Sequence, residues 1–202
     1  AGNAGRLSHF FIAQSKFKRV EDLRGATIGI LNMVEGTFFQ LQEVMARHGM
    51  KYPADYKVKQ TGGAPPRHKA LLEGAIDAGL QSIPWVYLEE EAGFSNLGDI
   101  ADYVPDWQFT TVNANRDWAA RNRDALVRFL RALLASTDWV YGNRDGTAAV
   151  VQKEMGMSRA HAERGWDYYT GRGVLTRDLS LNLKGLDKVI RAQIQAGLLP
   201  QD

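Results

Sequence analysis

The sequence predicts an α/β fold, on three observations. A β-branched apolar run from Thr27 to Leu31 is followed by a polar turn and then by apolar residues at helical spacing, Phe38, Leu41, Val44 and Met45, up to Gly49. That is the pattern of a strand, a turn and a helix. The alternation of short strand and helix patterns then continues to about residue 114, which describes a wound α/β lobe with a largely parallel sheet. Beyond Asn115 the pattern is helical only.

Each element follows from local residues. Phe10 to Ala13 is one apolar run, suited to a single strand, and the charged stretch Lys16 to Arg24 leads through Gly25 into the strand at 27–31. After the first helix, Lys51 to Asp55 reads as a loop and Tyr56 to Thr61 alternates as a second strand. Gly62, Gly63, Ala64, Pro65 and Pro66 break the chain and open a helix from about Pro66 to Glu73, with proline tolerated in the first turn. Gly74 to Asp77 feeds a very short strand, Ala78 to Leu80. Pro84 starts a helix over Trp85 to Ala92, and Gly93 ends it. Leu97 to Val104 and Phe109 to Ala114 are two further strand regions, the second rich in β-branched residues.

In the helical part, residues 123–141 place Leu126, Phe129, Leu130, Leu133, Leu134, Thr137, Val140 and Tyr141 on one face, with Arg123, Arg128, Arg131 and Asp138 elsewhere. Shorter helices follow near 145–155 and 158–169, the latter after Ser158 as a cap. Gly171 to Ser180 is a loop, and Leu183, Leu186, Val189, Ile190 and Ile194 mark a last helix ending at Gly197. Such apolar stripes need a sheet or a partner surface, and one strand at residues 10–13 is little for that purpose. The expectation is a further segment on the N-terminal side, or another subunit.

Composition narrows the function. Of the 202 residues 45% are apolar, enough for a packed core, and the formal net charge is only +2 with no basic block. A dedicated nucleic-acid surface needs clustered cations, so nucleic acid is not an expected partner. The chain has no cysteine, which removes disulfides, thiolate metal sites and thiol nucleophiles. No run approaches the roughly 18–20 consecutive apolar residues of a membrane-spanning helix, so no direct membrane insertion is expected. The chain begins at Ala1, with no initiator Met and no basic-then-apolar leader, as does a processed product or a piece of a longer protein.

No catalytic constellation is visible. His9, His48, His68 and His161 are far apart, with no partner at metal-ligand spacing, and read as surface or helix-end residues. Glu89, Glu90 and Glu91 are consecutive on a helix, point in different directions and read as a solvated face. There is no nucleophile elbow and no phosphate-cradling glycine motif. No metal and no cofactor are expected.

Loops at the carboxyl ends of the strands are the candidate site, because ligands of wound α/β sheets bind there. They are Asn32 to Thr37, Thr61 to Ala64, Gln81 to Trp85, and Pro105 to Trp107. Gly36 and Thr37 either form an ordinary helix cap or leave bare first-turn N–H groups for a ligand oxygen. Glu35 and Phe38 flank them, and Gly63 opens the next helix. Gln81 and Ser82 offer hydrogen-bonding groups, and Trp85 and Trp107 offer either flat ligand walls or core packing. Arg67 reads as a solvated helix residue in preference to an anion clamp.

The order of these pieces resembles a known family. The run from Val20 to Ile30, VEDLRGATIGI, resembles the DLKG and IGV opening of the ABC-transporter solute-binding proteins for sulfonates, nitrate, taurine and thiamine pyrimidines, the NMT1/THI5-like proteins. Ala70 to Ala78 is similar to their AL, G, DA segment, and Ser82 to Phe94 to their helix ending in EAGF. Asp102 to Gln108, Arg123 to Leu133 and Gly197 with Leu198 also fall in the family's order, so the likeness runs from about Val20 to the C-terminus.

The resemblance implies a class II periplasmic-binding-protein-like fold, two lobes with a hinge, the first lobe incomplete. Residues 1–17 would be a remnant of lobe 1 with a hinge strand, 18–112 the α/β lobe 2, and 113–202 the hinge return and the helical part of lobe 1. It implies a non-catalytic solute-binding component of an ABC importer, periplasmic or lipid-anchored outside the cytoplasmic membrane, with its signal peptide removed and a transporter permease as partner. The solute would be a small organic molecule, anionic or heteroaromatic, bound between the lobes. Glu35, Gly36, Thr37, Phe38, Gly63, Gln81, Ser82, Trp85 and Trp107 are the expected ligand contacts. A Glu35 carboxylate facing the cleft would oppose a sulfonate or nitrate. The alternatives are an effector-sensing module of a LysR-like regulator and a thiamine-pyrimidine-synthase-like enzyme.

Overall fold

The strands are β1 (Gly2–Ala4), β2 (His9–Ala13), β3 (Thr27–Ile30), β4 (Lys57–Gln60), β5 (Ala78–Ser82), β6 (Ser95–Asp99) and β7 (Thr110–Thr111). The helices are α1 (Gly36–Arg47), α2 (Ala64–Leu72), α3 (Trp85–Glu91), α4 (Ile100–Tyr103), α5 (Arg116–Arg121), α6 (Arg123–Gly142), α7 (Arg144–Met155), α8 (Arg159–Gly171) and α9 (Leu183–Gln195). This computed structural model describes residues 1–200. They divide into two units, one of residues 7–105 with the chain from 188 on, the other of residues 1–6 and 106–187.

Residues 7–105 are built on a five-stranded sheet in the order β4-β3-β5-β2-β6. β3 runs parallel to β4 and β5, whereas β2 is antiparallel to both β5 and β6. The sheet is therefore mixed, where a largely parallel one was expected. The difference comes from β2, which the chain lays down before its first strand–helix unit and inserts between β5 and β6.

Its central position explains its composition. Phe11, Ile12 and Ala13 are fully buried, as are Ile28 and Ile30 on β3 and Ala78 on β5, because both faces of an interior strand are covered. One face packs Ile12 with Ala70, Leu71, Ile76, Val86 and Tyr87. Leu41, Val44 and Met45, the apolar stripe of α1, are equally buried. The edge strand β4 keeps Lys57 and Lys59, a sequence that resists pairing with another edge.

The element ends differ from the sequence reading where a short polar signal decides. β6 stops at Asp99, whose carboxylate accepts from the Ala101 N–H at 2.9 Å and so caps the four-residue α4. The strand expected at 109–114 is only Thr110–Thr111. α5 has no apolar periodicity and is set by Asn115, whose side chain accepts from Trp118 N–H at 3.0 Å.

In the other unit, β1 pairs with β7 antiparallel. The buried Gln108 side chain ties this ribbon, donating to the Ala4 carbonyl at 3.0 Å and the Thr110 carbonyl at 2.8 Å and accepting from Asn182 N–H at 2.7 Å. Ser158 caps α8 through His161 N–H, and the small residues Ala148, Ala162 and Gly165 are buried on α7 and α8. On α6 only Thr137 is buried; Phe129 and Leu134 of the apolar stripe are exposed, as is Trp139 outside it. In the chain from 188 on, which belongs with residues 7–105, Gly197 closes the turn after α9 at φ 71°, with Leu198 N–H donating to the Gln193 carbonyl. Among the described residues no helix is long and apolar enough to cross a membrane.

Because Ile12 sits on an interior strand of the sheet with no exposed surface, Ile12→Ala is expected to lower unfolding free energy by about 2–5 kcal/mol in urea titration.

Candidate functional site

The carboxyl ends of β3, β4 and β5 lie at one edge of the five-stranded sheet, and α1, α2 and α3 each start there. Because β2 is antiparallel, its first residue, His9, pairs with Ser82 at the end of β5 and joins the same edge. Eight of the nine expected contacts belong to residues 7–105. Trp107 belongs to the other unit, where it is buried at 3% exposure.

The start of α1 is already occupied by the protein's own carboxylate. Glu35, not Thr37, is the N-cap: its Oε2 accepts from Thr37 N–H at 3.0 Å and its Oε1 accepts from the Thr37 hydroxyl. The Phe38 N–H donates to the Glu35 carbonyl at 3.2 Å. The bare N–H groups expected at Gly36 and Thr37 are thus partly taken. Phe38 is buried, its ring edge-on to Tyr52 with centroids 5.5 Å apart, so it is a packing residue. Gly63 caps α2 in extended geometry, and a side chain there would meet open space.

Behind the edge lies a buried polar cluster that sequence reasoning missed. Arg67, read as solvated, is only 3% exposed, and Glu89, read as part of a solvated acidic face, is fully buried. Gln81 links them: its Oε1 accepts from Arg67 Nε at 3.4 Å and its Nε2 donates to Glu89 Oε1 at 2.5 Å. His68 Nδ1 is 3.0 Å from the same Glu89 oxygen, and the His68 ring lies 5.1 Å from that of Trp85. His9 and His161 are buried too, contrary to the surface reading.

The space for Arg67 is made by two glycines in register on neighbouring strands, Gly29 of β3 and Gly79 of β5. A Cβ at residue 79 would stand 2.7 Å from Arg67 Cδ, and one at residue 29 would stand 3.3 Å from it. The guanidinium stem runs across the sheet where these side chains are missing. That pair of glycines inside two interior strands was the available signal, since an interior strand glycine marks a close approach.

Burial sets the charges. Glu89 is pushed up to about 8 by desolvation, against the Gln81 hydrogen bond and the Arg67 charge, so it is protonated at neutral pH. His9 is pushed down to about 4 by burial and by Arg67, and burial also lowers His68. The His68–Glu89 contact is therefore a hydrogen bond between neutral groups, not an ion pair. Burial raises Glu35, which Thr37 N–H and Arg67 partly offset. Arg67 is lowered by burial and supported by Glu35 and Glu89. Arg67 Nη1 and Glu89 Oε2 have no hydrogen-bond partner among the described residues. Nor do three His, Cys, Asp or Glu side chains there converge as metal ligands. The edge thus has donors and acceptors to bind with, Ser82 and Trp85 half-buried at its surface, and a single buried cation opposed by Glu35.

Comparison with known proteins bears on this edge. The family model described as NMT1/THI5 like matches residues 6–146. No curated protein sequence matches. Among solved structures, the periplasmic aliphatic sulphonate binding protein SsuA from Escherichia coli is similar at TM-score 0.73 and 17% identity, over 99% of this chain and 66% of that one. The alkanesulfonate-binding protein SsuA from Xanthomonas axonopodis pv. citri, bound to MOPS, gives 0.73 and 17%, over 99% and 70%. A DSZB mutant in complex with biphenyl-2-sulfinic acid gives 0.59 and 16%, over 98% and 72%. The chain thus has the periplasmic binding protein fold and spans about two thirds of the length of these neighbours.

Two measurements test the buried cluster. From pH 7 to 8, where the unfolded histidines are already mostly neutral, Glu89 dominates the proton difference between folded and unfolded chain, so stability falls as pH rises, by roughly 1 kcal/mol. Between about 4 and 6.5 His9 acts in the opposite sense, adding stability as pH rises. Glu89→Gln is expected to flatten the decline between pH 7 and 8 in urea titrations. Gly79→Ala should destabilise by about 1–3 kcal/mol, because its methyl group meets the buried middle of the Arg67 side chain.

Proposed function

The chain belongs to the NMT1/THI5-like family, and from that membership we propose that it is a solute receptor that holds a small organic molecule and does no chemistry on it. The observation that carries this reading is the polar cluster at the carboxyl edge of the sheet, where three helices begin and where wound α/β folds bind ligands. Ser82 supplies a hydroxyl, Gln81 fixes the buried layer behind it, and the half-buried Trp85 supplies a flat wall. Glu35, Gly36, Thr37 and Gly63 border the same edge. Phe38 and Trp107, both buried, are left out of the contact set.

The natural setting that this reading implies is an ABC importer, with the receptor outside the cytoplasmic membrane and a permease as its partner. The neighbours named for sulfonate binding support it, as does the likeness of fold over nearly the whole chain. The solute is a small anionic or heteroaromatic molecule. The absence of cysteine leaves these 202 residues without a thiol nucleophile, which supports binding over turnover.

A calorimetric titration against alkanesulfonates, aromatic acids and pyrimidines, run on the natural polypeptide that carries these residues, should find a saturable solute. Ser82→Ala should weaken that solute about 3- to 10-fold, the loss of one hydrogen bond, with the melting temperature unchanged. If no solute binds, or if Ser82→Ala leaves the affinity untouched, this placement of the site is wrong.

A further inference from the structure

The carboxyl edge has one cation and one carboxylate, and they lie at different depths. Arg67 is buried at 3% exposure, its stem pinned over Gly29 and Gly79, with its Nη1 unpartnered. Glu35 is nearer the surface, half-buried at the start of α1. A solute arriving from water therefore meets the carboxylate before the guanidinium. The other titratable groups around them do not change this sign: Glu89 is held protonated by burial, and His9 and His68 are held neutral. Glu35 is thus the larger of the two carboxyl influences on Arg67, ahead of Glu89.

Two of the donors that an anion would use are also committed. An anionic oxygen at a helix start is held by first-turn N–H groups and nearby hydroxyls. Here Thr37 N–H and the Thr37 hydroxyl both donate to Glu35. A sulfonate or carboxylate could use them only by displacing the Glu35 side chain, which would leave that carboxylate without its two Thr37 donors and beside a like charge. A nitrogen donor faces no such conflict. A carboxylate offers about four lone-pair sites; Thr37 uses two and the Phe38 N–H approaches a third, so an N–H group of the solute can take the one that remains.

We propose that Glu35 is the specificity determinant of this edge, admitting a solute that presents a cationic or neutral nitrogen donor and excluding a free sulfonate or carboxylate at that position. This rests on the edge being a solute site, and it goes beyond that reading by setting the sign of the group recognised there. It separates this chain from neighbours named for sulfonate binding, whose likeness extends to the fold.

The test uses three probes of one shape and different charge: benzamidine, benzamide and benzenesulfonate. Each is titrated into the natural polypeptide and into its Glu35→Gln and Glu35→Asp variants. The glutamine keeps a carbonyl oxygen for Thr37 N–H, and far-UV circular dichroism and melting temperature check that the fold is kept. The wild type is expected to bind benzamidine most tightly and benzenesulfonate most weakly. Glu35→Gln should weaken benzamidine and strengthen benzenesulfonate, each about tenfold, as expected for a charge-assisted hydrogen bond. Glu35→Asp should preserve the wild-type order. Benzenesulfonate binding at least as tightly as benzamidine to the wild type, or an unchanged ratio in Glu35→Gln, overturns the assignment while leaving the solute site in place. If none of the three probes binds either the wild type or Glu35→Gln, the solute site itself fails, and the assignment with it.

Discussion

The burial of Arg67 is the constraint on which the edge of the sheet depends. A guanidinium removed from water is costly unless it is hydrogen-bonded and offset in charge. Here Gln81 takes its Nε–H, and Glu35 supplies the charge. Each consequence follows in turn. Gly29 and Gly79 must lack side chains because the arginine stem crosses them. Gln81 must be fully buried because it joins Arg67 to Glu89. Glu89 stays protonated because burial outweighs the help it receives from Arg67 and Gln81. The cluster holds the starts of α2 and α3 against the ends of β3 and β5 with polar bonds whose geometry is more specific than apolar contact.

Much of this fold could be read in the sequence, because periodicity reports burial. The strand at 27–30, the apolar stripe of α1 and the long helix α6 were all visible as patterns of period two or 3.6. What periodicity cannot report is strand direction. β2 has the same apolar run whether parallel or antiparallel, so the mixed sheet was not legible. Nor does it report helices made by caps, and α5 and α4 depend on single side chains, Asn115 and Asp99.

The candidate edge was legible in its loops and opaque in its interior. Gln81, Ser82 and Trp85 were read as candidates because they follow a strand end. Arg67 and Glu89 were missed because charged residues on helices are usually solvated, and the sequence around them gives no sign of burial. The sign lay elsewhere, in two glycines about fifty residues apart that become neighbours only when β3 and β5 pair. Long-range register is what converts TIGI and AGLQ into a slot for an arginine.

A likeness of fold at 17% identity carries no ligand with it, so a solute has to be argued from the edge itself. If the edge is the site, a bound solute should slow exchange of the backbone amides that surround it. Hydrogen–deuterium exchange on the natural polypeptide, with and without a solute identified by titration, measures this directly. The account predicts protection at residues 35–38, 63–68 and 81–86, and little change on α7 and α8. Protection confined to α7 and α8, with residues 35–38, 63–68 and 81–86 exchanging as in the free protein, would contradict it.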